Sequence, residues 1–286
     1  MLAKRVVTAV ILLFAIVPSL IAKDPRWFAV VLTILVAAGC WEWGRLNQIG
    51  SGWSALCGVA LASLCLVSWH WVSTSGISSS FYVVGGVAWV IGGAWVLYRG
   101  AGRWLRIPAH VRLALGFVGL WTAWNATLEL KAVGAHVLFS VLCLVWFADT
   151  GAYFAGRSLG GRWISSRLAP TISPGKTWEG VAGAVVSVLM LAVAWGILDR
   201  VYLVTVPSLF TRLAALGPLA AIVLLVSLVA MSVVGDLFES LVKRGAGVKD
   251  SSGLLPGHGG ILDRLDALLP TMPLALLLYR FVGSLS

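Results

Sequence analysis

Charge is what this chain has least of. Only 11% of its 286 residues are Asp, Glu, Lys or Arg, and 59% are hydrophobic, against roughly 25% charged in soluble domains. That scarcity excludes a fold that faces water on all sides. Cysteine is sparse too: Cys40, Cys57, Cys65 and Cys143 stand singly in apolar stretches, with no CxxC or Cys/His spacing among them. No disulfide framework or zinc site follows, and all four read as small buried hydrophobes. Internal repeats and low-complexity tracts are missing as well.

What is present is a series of apolar runs, each long enough to cross a hydrocarbon core of about 30 Å. Nine candidate spans cover residues 6–22, 27–43, 53–71, 81–98, 111–129, 133–148, 178–198, 213–234 and 268–283. The chain is therefore expected to be all-α, a polytopic transmembrane protein of about nine helices. Residues 6–22 follow Lys4 and Arg5 as a signal peptide would. They lack a small-residue cleavage site and lead straight into a second apolar run, so they read as a retained helix. Fifteen tryptophans suit the belts at membrane interfaces, where an amphipathic ring sits at headgroup depth.

Basic residues near span ends stay in the cytoplasm. With nine spans and a cytoplasmic N-terminus, one side collects fifteen Lys and Arg residues, and the other only Lys23, Arg26, Lys131, Arg200, Arg212 and Arg280. This bias predicts a multi-pass protein of the inner (plasma) membrane whose main polar loops face the cytoplasm. The net charge of +10 then lies beside anionic headgroups and nucleotide phosphates, although part of the excess is only topological.

The chain has eleven acidic residues, and seven of them, Asp149, Glu179, Asp236, Glu239, Asp250, Asp263 and Asp266, fall in the stretches 149–180 and 235–266. Carboxylates near lipid are kept mainly where they pair, ligate a cation or line a wet cavity, so these stretches are where function is sought. Asp199 reads instead as a helix-end charge in solvent. Asp236, Glu239, Ser240 and Lys243, at offsets 0, 3, 4 and 7, share one helix face. Gly245 and Gly247 end that helix, and Pro256-Gly-His-Gly-Gly260 makes a loop whose backbone can approach a ligand. Asp263 and Asp266 then share a face where the last span begins. Two acidic faces joined by a basic, glycine-rich loop suit a hard cation such as Mg²⁺. Lys243, Arg244, Lys249 and Arg264 could neutralise phosphate oxygens beside it.

The run from Ser240 to Asp266, Ser-x-Val-Lys-Arg-x4-Lys-Asp-x-Ser-x2-Leu-Pro-x-His-Gly-Gly-Ile-x-Asp-Arg-Leu-Asp, resembles the signature of phosphatidate cytidylyltransferases, the CDP-diacylglycerol synthases. Ala148-Asp-Thr-Gly-Ala-Tyr-Phe-Ala-Gly-Arg157 and Ile172-Ser-Pro-Gly-Lys-Thr-Trp-Glu-Gly180 are similar to that family's other polar segment. The resemblance is strong over about 140–285 and weak before it. It divides the chain into residues 1–130, helices for packing or dimerisation, and 131–286, the catalytic region.

The resemblance implies that Asp236 and Asp263 hold Mg²⁺, with a K⁺ beside it. Ser240, Lys243, Arg244, Lys249, Asp250, His258, Arg264 and Asp266 would complete the pocket, and Asp149, Ser173, Lys176 and Glu179 would line its other wall. His258 is expected to donate to phosphate or nucleotide rather than act as acid or base. The implied partners are CTP, phosphatidate, membrane lipids and a second copy of the chain, with no nucleic acid. In the implied reaction the lipid phosphate attacks the α-phosphorus of CTP, in a polar funnel near the cytoplasmic surface that opens sideways to lipid. The rival readings are a CTP-using enzyme for another membrane lipid, such as a polyprenol kinase or an archaeal-lipid cytidylyltransferase, and a cation-coupled transporter. A transporter would be expected to show internal symmetry and broken helices in both halves.

Overall fold

The computed structural model describes residues 2–74 and 76–285, and the side chains of these apart from residues 2–7, 9, 12 and 72–74; Lys4 and Arg5 of the charge count thus have side chains outside the described residues. Among the described residues, nine long helices stand where the apolar runs predict them: α1 (Leu2–Ile21), α2 (Pro25–Leu46), α3 (Ser51–Thr74), α4 (Ser79–Arg99), α5 (Ala109–Val133) and α6 (Ala135–Leu159), then, beyond a polar segment, α7 (Trp178–Val201), α9 (Pro218–Gly245) and α10 (Leu262–Gly283), with the short α8 (Leu209–Ala214) before α9. Among the described residues, seven of these helices are long and apolar enough, on length and composition alone, to cross a membrane. α5 falls outside that set for a physical reason: from Gly119 to Leu130 nearly all of it is buried, including Asn125 and Glu129. A helix wrapped in protein need not be apolar on every side.

Hydrogen bonds between distant segments sort the connections into two ends. At one end Thr8 Oγ1 donates to Pro256 O at 3.0 Å, and Trp104 Nε1 and Arg112 Nη1 both donate to Asn47 Oδ1. At the other, Lys131 Nζ donates to Ser19 O, Arg280 pairs with Glu129, Arg280 Nη1 donates to Ile77 O, and Tyr279 OH donates to Pro207 O. With Arg244 Nε at the end of α9 donating to Ile172 O, the connections after α2, α4, α6 and α9 share an end, and those after α1, α3, α5 and α7 share the opposite one, the alternation that repeated crossings require.

Two packing features position the polar segments. Phe238 of α9 lies among Trp43, stacked at 6.0 Å, and Trp89 and Trp104, edge-on at 5.3 Å. These contacts tie α9 to the N-terminal helices through the offset and edge-to-face geometries that aromatic rings favour. The α6–α7 pair is closer still. A Cβ added at Gly183 would lie 2.7 Å from Gly151 O, and one at Gly151 would lie 2.6 Å from Gly183 O. Small residues let helix backbones touch inside a membrane, where van der Waals contact drives association.

Three expectations need correction. The span predicted to stop at residue 148 runs on to Leu159, so Asp149 sits inside a helix and not at its end. The segment between α6 and α7 is not wholly irregular: Arg167–Ala169 (β1) and Ser173–Thr177 (β2) pair antiparallel as a hairpin, the only named sheet among the described residues. Asp199 is buried and accepts from Ser208 N, Ser208 Oγ and Thr211 Oγ1 at 3.0, 2.5 and 2.6 Å. It fixes the start of α8 on the end of α7 and is not a solvent charge.

Candidate active site

The α9 helix continues unbroken to Gly245, and Gly247 follows with a φ of +73°. The expected face therefore exists: Asp236, Glu239, Ser240 and Lys243 line up over two turns, with Ser240 Oγ 3.4 Å from Asp236 Oδ1. Lys243, 12% exposed, pairs with Glu239 one turn back and lies 2.5 Å from Asp263 Oδ1. Opposite charge makes burial of such groups tolerable, since each alone would carry an uncompensated desolvation cost.

Asp263 gathers the loop that precedes it. Its Oδ2 accepts from Ser251 N at 3.0 Å, Ser251 Oγ at 2.8 Å and Gly260 N at 2.7 Å. The loop closes on itself where Leu255 N donates to Gly259 O and His258 N to Leu255 O. Gly259 is required twice over: its φ is +82°, and a Cβ there would lie 2.6 Å from Asp263 Oδ2. Arg264 Nη2 donates to His258 O at 2.7 Å. His258 Nδ1 is buried with no hydrogen-bond partner among the described residues.

The second wall comes from α6 and the hairpin. Lys176, on β2, places its Nζ 2.5 Å from Asp236 Oδ2. Between them and α6 lies a cavity of about 570 Å³, lined by Asp149, Tyr153, Arg157, Lys176, Thr177 and Asp236 among others, with Val181 and Val233 as apolar lining. Asp149 is exposed to it. Asp266, where α10 breaks, accepts from Ala267 N at 2.7 Å and lies within electrostatic reach of Asp236 and Asp149. Asp236 and Asp263 therefore belong to one end of the bundle, linked through the α9 face and Lys243.

Not every candidate lines the cavity. Glu179 is turned away, its Oε1 accepting from Gly161, Trp163 and Ile164 N at 3.0–3.1 Å. Arg244 ties the hairpin to the following loop, Nε donating to Ile172 O and Nη1 to Val248 O. Ser173 begins β2, and Lys249 and Asp250 are exposed in the turn after α9. Among the described residues no three His, Cys, Asp or Glu side chains form a ready metal cage.

Sequence reasoning passed over Tyr153 and Arg157, which line the cavity and share a 2.8 Å hydrogen bond. Their offsets of 4 and 8 from Asp149 put all three on one helix face, a signal that was there to be used. It also passed over Glu42 in α2, which is fully buried and accepts from Ser251, Ser252, Ile261 and Leu262.

Known proteins are similar to this chain in sequence. The phosphatidate cytidylyltransferase of Haemophilus influenzae is 32% identical over 99% of this chain and all of its own. That of Pseudomonas aeruginosa is 34% identical over 96% of this chain and 95% of its own. That of Bacillus subtilis reaches 43% identity over 51% of this chain and 48% of its own. A sequence model of the cytidylyltransferase family matches residues 3–282, a stretch that takes in the N-terminal helices together with both polar walls of the cavity, and the chain belongs to that family.

Proposed function

We propose that this protein is a phosphatidate cytidylyltransferase, a membrane nucleotidyltransferase of phospholipid biosynthesis that converts CTP and phosphatidate into CDP-diacylglycerol and pyrophosphate. Near full-length similarity to enzymes of that name supports this. The single structural observation that carries it is the Lys176–Asp236 pair, which lines with Asp149 one cavity at one end of a transmembrane bundle. A phosphate oxygen of the lipid forms a bond to the α-phosphorus of CTP while the bond to the bridging oxygen of the pyrophosphate breaks. Phosphatidate is already an anion at neutral pH, so no protein nucleophile or strong base is needed, and positioning and charge neutralisation do the work.

The carboxylates offer the hard oxygen donors that Mg²⁺ takes, and a few suffice because waters and substrate phosphates fill its other positions. Asp236 and Asp263 would hold the Mg²⁺, with a K⁺ nearby. Each now faces a lysine ammonium, Lys176 and Lys243, which marks both as places for positive charge. When bound, the metal would supply Lewis-acid stabilisation of phosphate charge. Lys176 and Arg157 on the cavity wall would meet phosphate oxygens, and Arg244, Lys249 and Arg264 would add positive charge around the loop. Glu179 keeps the segment after α6 in place, and Ser240 orients Asp236.

Of the nineteen Lys and Arg residues whose side chains are described, thirteen stand at the cavity end, which supports a cytoplasmic active site in the inner membrane. A homodimer belongs to the same reading, and the mass of the detergent-solubilised protein in light scattering tests it. Purified protein given labelled CTP, Mg²⁺ and phosphatidate in micelles should yield a lipid-soluble cytidine product. Asp236→Ala should abolish it while the protein still inserts and purifies. Label that stays in water with every lipid offered overturns the assignment.

A further inference from the structure

Glu42 sits in α2, far in sequence from both polar stretches, and is 0% exposed. Burying a carboxylate is costly unless it is fully hydrogen-bonded, and this one is. Its Oε1 accepts from Ile261 N at 3.0 Å and Ser252 Oγ at 2.5 Å, and its Oε2 from Leu262 N at 2.6 Å and Ser251 Oγ at 3.0 Å. Both backbone donors lie at the start of α10, one turn or less before Asp263. The hydroxyl of Ser251 also lies 2.8 Å from Asp263 Oδ2, so its one proton is shared between the two carboxylates. Space around Gly260 is closed by the same groups, since a Cβ there would collide with Ser251 Oγ and Glu42 Oε1.

We propose that Glu42 is a positioning residue for cytidylyl transfer: through Ser251 and the first amides of α10 it fixes the Ser251–Leu262 loop and, with it, the carboxylate of Asp263. Glu42 does not line the cavity, so its action is indirect. The proposal rests on the reading that Asp263 serves the transfer reaction. The N-terminal helices then set the geometry of the site and do more than fill the membrane.

Glutamine is the informative replacement. Each carboxylate oxygen takes one backbone N–H, so an amide of the same shape must turn its own N–H₂ toward one of them. A displacement of about 1 Å at a catalytic group costs on the order of 100-fold in rate. Purified Glu42→Gln should therefore lose about 100-fold in kcat, with KM for phosphatidate within about twofold of the parent. Glu42→Asp, which keeps both acceptor oxygens, should recover part of the loss. Ser251→Ala should lower kcat too, and the double variant Glu42→Gln/Ser251→Ala should be no slower than the worse single. A folded Glu42→Gln with unchanged kcat, or losses that multiply in the double variant, overturns the proposal. Trypsin cleavage after the exposed Lys249 reads the loop without turnover, and Glu42→Gln should speed it about tenfold, as a local opening made easier by about 1.4 kcal/mol would. Unchanged cleavage overturns the positioning role, whereas a parent protein that transfers no cytidylyl group to any lipid fails the activity reading separately.

Discussion

Lys176 and Asp236 meet at 2.5 Å although 60 positions of chain separate them, one on a short hairpin strand and the other inside a transmembrane helix. The contact folds the connection between α6 and α7 down onto α9 and makes one cavity wall dependent on the other.

Lys176→Met should leave Asp236 without its cation partner and remove a charge from the phosphate path. Loss of one such electrostatic contact costs about 3 kcal/mol in the transition state, or on the order of 100-fold in kcat/KM for CTP. Steady-state assays with purified protein read the loss. Lys176→Arg, which keeps the charge but not the shape, should fall between the two.

Lys243 should matter for stability as well as for turnover. It is the cation between Glu239, 2% exposed, and Asp263, 10% exposed. Breaking a buried pair by removing one partner costs about 3–5 kcal/mol. Lys243→Met should therefore unfold at a clearly lower temperature in detergent, and adding Glu239→Gln should restore part of the difference, because one stranded charge is gone.

Gly183→Leu tests whether α6 and α7 are held by backbone contact. Any side chain at residue 183 must push on Ala155 and on the main chain of Gly151. Overpacking typically costs about 1–3 kcal/mol. Because α6 also carries Asp149, turnover should drop along with the melting temperature, whereas Gly196→Leu, on the same helix with open space around it, should be silent in both measurements.

The residues that sequence alone could place are those whose neighbours are local. The 0, 3, 4, 7 spacing of Asp236 to Lys243 is a property of one helix, and the structure keeps it. Asp149 was misplaced at a helix end because polar residues closed the apolar window, yet a helix lining a cavity carries polar groups on one side without stopping. Strands of three and five residues around Pro174 and Gly175 give too short a pattern to register as a hairpin. Glu42 was invisible for a deeper reason: it is one acid in an apolar run, and its partners lie 209 to 220 positions away. Asp199 differs: its partners Ser208 and Thr211 lie only 9 and 12 positions on, but the turn that brings α8 back over the end of α7 carries no periodic pattern from which the contact could be read.

The length of α9 fixes the height at which chemistry happens. Its residues before Asp236, Pro218 to Gly235, rise about 27 Å at 1.5 Å each, close to the roughly 30 Å depth of bilayer hydrocarbon. A crossing that starts at Pro218 would thus bring Asp236 to the edge of the hydrocarbon, just short of the headgroups, and the last turns of the helix, with Leu241 and Val242 buried against the rest of the bundle, would carry the site past that edge. A lipid can present its headgroup there by drifting sideways, without being lifted from its leaflet, and it is the soluble nucleotide that must descend.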